Sequence, residues 1–293
     1  TIDPDDIVDF EHEARMLTQM NHPHVLRVFG FCTKTAEESK DHQEHKYIVT
    51  EFAPNGSLED AIEGAVKIAQ IIQQSNSGAI RMPFTKLQSL EWAVQIAAGM
   101  AFLHGRGFMH RDMKPQNVLL NKSNEALVAD LGTVRKVPTA DNKEVSPWDG
   151  IGVEVKTEDE AKSKKLKEFV QQFRSNKPQQ ERYDPTMTKS NGTVLFMAPE
   201  QYTVEYSYPV DVWAYGVTLV RLFTLKWPYE EENVVRLVLG VAKGELRPIE
   251  VEEEDVPDME VLVVIKECLN FDPKQRPSFK TIERKLSAAL KLK

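Results

Sequence analysis

The sequence predicts an α+β chain, with a small strand-bearing part followed by a larger, mostly helical part. Two apolar runs, over 25–31 and 46–52, are separated by a polar loop and read as strands. Beyond residue 53, long stretches such as 87–104, 257–269 and 278–291 carry the apolar residues of helices. Between these helices only brief strand-like runs occur, at 118–120 and 126–129. With 293 residues, 41% hydrophobic, the chain has ample material for a sizeable core. A net charge of -8 argues against a nucleic-acid partner, which calls for clustered positive charge. Cys32 and Cys268 lie far apart without metal-ligand spacing, which predicts a reduced, cytoplasmic (intracellular) setting. No apolar run reaches membrane-spanning length, so no membrane segment is expected.

Taken in order, residues 4–20 read as a helix, because Ile7, Phe10, Ala14 and Leu17 recur at helical spacing and Asp3-Pro4 forms a start signal. After the two strands, Gly56-Ser57-Leu58 opens a helix at a good N-cap, with Ala61, Ile62, Ala65, Ile68, Ala69 and Ile72 on one face. A Ser/Asn/Gly-rich loop is expected over 73–81. The helix over 87–104 is apolar through Leu90, Val94, Ile96, Ala97, Met100 and Leu103. Residues 133–191 are polar and charged, with one candidate helix over 156–174. Helices are expected near 231–243, 257–269 and 278–291, and the acidic run 250–255 reads as a solvated loop.

The densest chemistry lies in His110-Arg111-Asp112-Met113-Lys114-Pro115-Gln116-Asn117, leading into Val118-Leu119-Leu120. It resembles the catalytic loop of eukaryotic protein kinases. Phosphoryl transfer needs positioning and charge neutralisation more than covalent work. The resemblance gives Asp112 the role of base toward the substrate hydroxyl, Lys114 that of a cation near the transferred phosphoryl group, and Asn117 that of a Mg²⁺ ligand. Pro115 helps to fix the tight loop these roles need.

Other landmarks follow in the family's order. Phe10-Glu11-His12-Glu13-Ala14 and Asn21-His22-Pro23-His24-Val25 resemble helix C and its exit, making Glu13 the partner of an ATP-contacting lysine. Tyr47-Ile48-Val49-Thr50-Glu51-Phe52-Ala53 resembles a hinge, with Thr50 as gatekeeper, the backbone of Glu51 and Ala53 on adenine, and Leu119 as the adenine floor. Asp130-Leu131-Gly132 resembles the metal-binding motif, with Leu in place of the usual Phe and Asp130 as the expected Mg²⁺ ligand. Gly192-Thr193 through Ala198-Pro199-Glu200 resembles the end of an activation segment. On that resemblance Thr193 contacts Asp112 and Lys114, Glu200 pairs with Arg276, and Asp211 holds the backbone of the catalytic loop beside His110. Arg111 is expected to pair with a phosphate added at Thr186, Thr188 or Ser190.

The family also carries a glycine-rich loop and a strand lysine before helix C. Neither precedes Glu13. Gly150-Ile151-Gly152 lacks the third glycine, and Val241-Ala242-Lys243 falls in a predicted helix. The expected organisation is therefore protein-kinase-like with a truncated small lobe. Residues 1–52 are its remnant up to the hinge, and 53–293 form the large lobe with a long insert over 133–191. Val25, Val28, Ile48 and Val49 are expected to leave an exposed sheet edge. The resemblance implies ATP and Mg²⁺ as cofactors and a protein Ser/Thr hydroxyl as acceptor. Lys114-Pro115 and Gly192-Thr193 resemble the Ser/Thr-specific pattern, and the hinge resembles the tyrosine-kinase-like group. A scaffold that binds partners without catalysis is the alternative. Retention of Asp112, Asn117 and Asp130 together weighs against it.

Overall fold

The computed structural model describes residues 17–34, 45–75, 81–136, 192–202, 207–231 and 233–293. The expected helices over 4–20 (apart from its last turn) and 156–174, with Glu13, Thr186, Thr188 and Ser190, lie outside the described residues.

Strand β1 (Val28–Lys34) pairs antiparallel with β2 (His45–Thr50), Phe31 opposite Ile48. The register shifts between Val28 and Gly30, a bulge that leaves Phe29 unopposed. Only part of the expected edge is exposed. Ile48 and Val49 are open at 41% and 46%, joined by Phe29 and Tyr47, whereas Val25 and Val28 are buried. Val25 escapes because it bridges in parallel to Val128 of the large part, and Val28 joins the main core.

Helix α1 (Leu58–Ser75) begins in a reciprocal cap. Asp60 N donates to Ser57 Oγ, while Ser57 N donates to Asp60 Oδ2 at 2.8 Å. The helix runs through Ser75, past the loop onset expected at residue 73. Gln73 and Gln74 are adequate helix formers, so polarity alone does not end the element. Helix α2 (Lys86–Gly105) is capped by Thr85, whose side chain accepts from Gln88 N. Helix α3 (Pro209–Thr224) is buried along almost its whole length, as a helix apolar on all sides must be. Around it lie α4 (Val234–Lys243), α5 (Met259–Cys268) and α6 (Phe279–Lys291), each opened by a side-chain cap, from Asn233, Asp258 and Ser278. Tyr215 Oη donates to Ala93 O at 2.8 Å and so ties α3 to α2. No helix among the described residues is long and apolar enough to cross a membrane.

The remaining strands are short. β3 (Phe108–Met109) pairs with β6 (Arg135–Lys136), and β4 (Val118–Leu120) pairs with β5 (Ala126–Val128). The turn joining β4 and β5 is closed by Asn121, whose Oδ1 accepts from the backbone of Ser123 and Glu125. The fold is thus α+β, with a small sheet above a helical body, and both short ribbons flank the segment from His110 to Asn117.

Candidate active site

Residues 110–117 leave α2 through β3 and close in a one-turn 3-10 helix, Pro115–Asn117, which runs straight into β4. Pro at its first position suits that geometry. The backbone is held from beneath by Asp211 in the first turn of α3. Its Oδ2 accepts from His110 N and from His104 Nε2, and its Oδ1 accepts from Arg111 N, each at 2.8 Å. Arg111 has φ 70, a left-handed conformation that costs a non-glycine residue roughly 1–2 kcal/mol. The Asp211 bonds offset that strain, so backbone and clamp belong together. Burial opposes the Asp211 charge. The hydrogen bond and charge of His104, with His110, outweigh it and hold the carboxyl below its ordinary range.

His110 is buried. Its Nε2 lies 2.8 Å from Ala129 O, and its Nδ1 accepts from Asp112 N at 3.3 Å. A carbonyl only accepts, so the hydrogen sits on Nε2 and the lone pair on Nδ1. This ring joins the loop to the strand that delivers Asp130.

Above this support the polar side chains converge. Lys114 Nζ donates to both oxygens of Asp112, at 3.0 and 2.7 Å, and to Thr193 Oγ1 at 2.7 Å. Asn117 Nδ2 donates to Asp112 O at 2.7 Å and to Asp112 Oδ2 at 2.8 Å. Residue 193, far away in sequence, thus joins the loop in one hydrogen-bonded cluster. Asp130 follows Ala129, whose N donates to Asn117 O, and is itself left-handed at φ 55. Its side chain is exposed, and among the described residues none donates to its carboxylate.

These donors fit a divalent cation of the hard type. Asn117 keeps its Oδ1 as an acceptor once Nδ2 has made its two bonds, and Asp130 offers carboxylate oxygens. No cluster of three or more His, Cys, Asp or Glu able to hold a metal exists among the described residues. Such an ion would complete its shell with phosphate and water oxygens, as Mg²⁺ commonly does.

The residues assigned to a nucleotide lie at the junction of the two parts. Thr50 is exposed at the end of β2 and donates from Oγ1 to Glu51 O at 3.2 Å. Glu51 is clamped to Arg27 by two bonds, N to Arg27 O at 2.9 Å and Oε1 from Arg27 N at 2.7 Å. Ala53 is half-buried on the following turn. Leu119 packs with Leu26, Leu127 and Ala129 in a small apolar cluster apart from the main core. Further off, Arg276 meets Glu200 in a bidentate pair at 2.5 and 2.9 Å. A recess beside Asp112 is lined by Met113, Thr193, Phe196, Met197 and Gln201.

Sequence reasoning missed His104, the third donor to Asp211. Its only signal is a histidine in the last turn of an apolar helix, a place usually explained by the carbonyls there.

Comparison with known proteins gives one consistent result. Residues 1–150 match the model of the family described as protein tyrosine and serine/threonine kinase, and residues 160–286 match that described as protein kinase domain. Serine/threonine-protein kinase STY46 of Arabidopsis thaliana is 26% identical over 99% of this chain and 38% of its own length. Tyrosine-protein kinase FRK of Homo sapiens is 26% identical over 95% of this chain and 43% of its own. Serine/threonine-protein kinase Nek4 of Mus musculus is 26% identical over 94% of this chain and 26% of its own. The chain therefore spans less than half the length of each of these relatives.

Proposed function

This chain belongs to the protein kinase family, and we propose that it transfers the γ-phosphoryl group of ATP to a serine or threonine hydroxyl of a protein substrate. The observation that carries this reading is the single cluster of Asp112, Lys114, Asn117 and Thr193. In this proposal Asp112 orients the acceptor hydroxyl and takes its proton as the new oxygen–phosphorus bond forms. The bond from the γ-phosphorus to the bridging oxygen breaks, and ADP leaves. Lys114, held between Asp112 and Thr193, neutralises charge on the phosphoryl group in flight. Asn117 and Asp130 would hold Mg²⁺, which when bound supplies charge neutralisation to the phosphates. The backbone of Glu51 and Ala53 serves adenine, Thr50 stands at the rear of that site, and Leu119 forms its floor. Met197, half-buried beside the Asp112 loop, offers an apolar contact for residues flanking the acceptor.

Residues 1–52 act in this reading as the small lobe up to the hinge, with Glu13 orienting a lysine, and 53–293 as the large lobe. The choice of Ser/Thr over Tyr rests on Lys114, two residues after Asp112, and on its bond to Thr193. Both Ser/Thr and Tyr kinases stand among the relatives. The test presents Ser, Thr and Tyr versions of one peptide with ATP and Mg²⁺. Transfer to Ser and Thr is expected, falling about 10²- to 10⁴-fold in Asp112→Asn. Transfer to Tyr alone overturns the specificity. Nucleotide binding with no transfer to any of the three supports the scaffold alternative.

A further inference from the structure

A buried ion pair joins α1 to α3, away from the reacting groups. Arg221 Nη2 and Nε both donate to Glu59 Oε1, at 2.6 and 3.2 Å, and their side chains are only 3% and 7% exposed. Arg221 Nη1 donates to Leu225 O, and the guanidinium lies 4.5 Å from the ring centre of Trp227. Glu59 Oε2 is buried and accepts nothing among the described residues. A half-satisfied buried carboxylate is a poor device for stability, since two apolar residues of similar volume usually do as well. What the pair fixes is geometry.

Helix α1 starts directly after residues 51–57, and that segment is sewn to β4. Asn55 N donates to Leu120 O, Leu120 N donates to Gly56 O, and Ser57 bridges Leu119. Helix α3 meanwhile holds the 110–117 loop through Asp211. Arg221 lies ten residues on from Asp211, roughly 15 Å along the same helix. One rigid element thus carries both attachments.

We infer that Glu59 and Arg221 are positioning residues for the nucleotide. By seating α1 on α3, they set residues 51–57 and Leu119 at a fixed distance from the loop of Asp112. The inference rests on the kinase reading above. It assigns the pair to nucleotide placement and leaves proton transfer to Asp112. Breaking the pair therefore acts on nucleotide affinity, while the Asp211 clamp keeps the loop in place.

The test uses the full chain, with Glu59→Gln and the double variant Glu59→Met/Arg221→Met. Calorimetry with Mg²⁺ and ADP gives Kd, steady-state assays give KM for ATP and kcat, and urea midpoints give stability. Glu59→Gln is expected to raise both nucleotide constants about five- to tenfold, with kcat within about twofold, the pattern of a lost uniform binding contribution. The double variant regains a wild-type urea midpoint but keeps the raised constants. Nucleotide constants that recover together with stability overturn the inference, as does a fall in kcat at unchanged KM. ADP binding without phosphoryl transfer by the wild type sinks the catalytic reading alone, and the ADP constants then decide the positioning role. A wild type that binds no nucleotide overturns both.

Discussion

Asp211 shows how much of this site depends on a residue that lies beneath the Asp112 cluster and outside it. Its two oxygens receive three donors, two from the loop backbone and one from His104. Asp211→Asn keeps the shape but turns one acceptor into a donor facing N–H groups, in a site that water does not reach. Removing one side of a buried charged contact costs about 3 kcal/mol or more. Chemical denaturation at pH 7 is expected to show a loss of that order. The sign with pH follows from the lowered carboxyl pKa, which burial raises but His104 and His110 lower further. The stability it confers is present above the unfolded-state value near ~3.9 and disappears as pH falls through the lower folded value. The gap in urea midpoint between wild type and variant should hold down to about pH 5 and narrow below about pH 4. A gap that widens with acid contradicts the assignment. Spacing alone placed Asp112, Lys114 and Asn117 in one short loop, because six consecutive residues cannot spread far. His104 was not legible, because its partner lies in another helix and no local pattern records that.

At the scale of elements, apolar period and caps carried most of the fold. The helices expected near 87–104, 257–269 and 278–291 are found at Lys86–Gly105, Met259–Cys268 and Phe279–Lys291, each with the Thr, Asp or Ser cap that starts it. Ends were less legible, as the extension of α1 to Ser75 shows. The β3–β6 pair was illegible, since two-residue strands have no period. Contacts between elements are written in single small residues that look ordinary in sequence. Gly99, in the middle of α2, is one. A Cβ there would lie 2.3 Å from His24 O and 3.0 Å from Val128 Cγ2. The chain leaving residue 24 is bonded to β5 and cannot retreat, because Val128 N donates to that same oxygen at 3.0 Å. Alanine normally stabilises a helix interior by about 1 kcal/mol over glycine. Here overpacking against backbone reverses the sign. Gly99→Ala should lower stability by about 2 kcal/mol in a urea titration, and an increase would show that α2 and residues 22–26 are not in contact.

Across the whole molecule, the segment bearing Thr193 is anchored at a distance from the loop it serves. Residues 192–202 reach Lys114 at one end and the helical base at the other. There Glu200 accepts both Nη groups of Arg276. The Arg276 side chain is fully buried and its other donors are spent on Asn270 O, Pro209 O and Phe271 O, with Trp213 5.0 Å away. One guanidinium thus fastens the segment, the start of α3 and the loop before α6. Lysine carries the charge but not the planar fork, so it cannot serve these partners together. Arg276→Lys should therefore cost about 3 kcal/mol, the scale for breaking a buried pair. Glu200→Gln keeps the carbonyl contacts of Arg276 but leaves its buried charge without a counter-ion, so it should cost about as much. If the tie also holds Thr193 against Lys114, both variants lower peptide phosphorylation more than nucleotide affinity, because residues 51–57 are attached elsewhere. Parallel urea titrations, ADP calorimetry and peptide kinetics check this. Equal losses of nucleotide and peptide handling would mean that Arg276 stabilises the body as a whole, with no separate hold on the segment of Thr193.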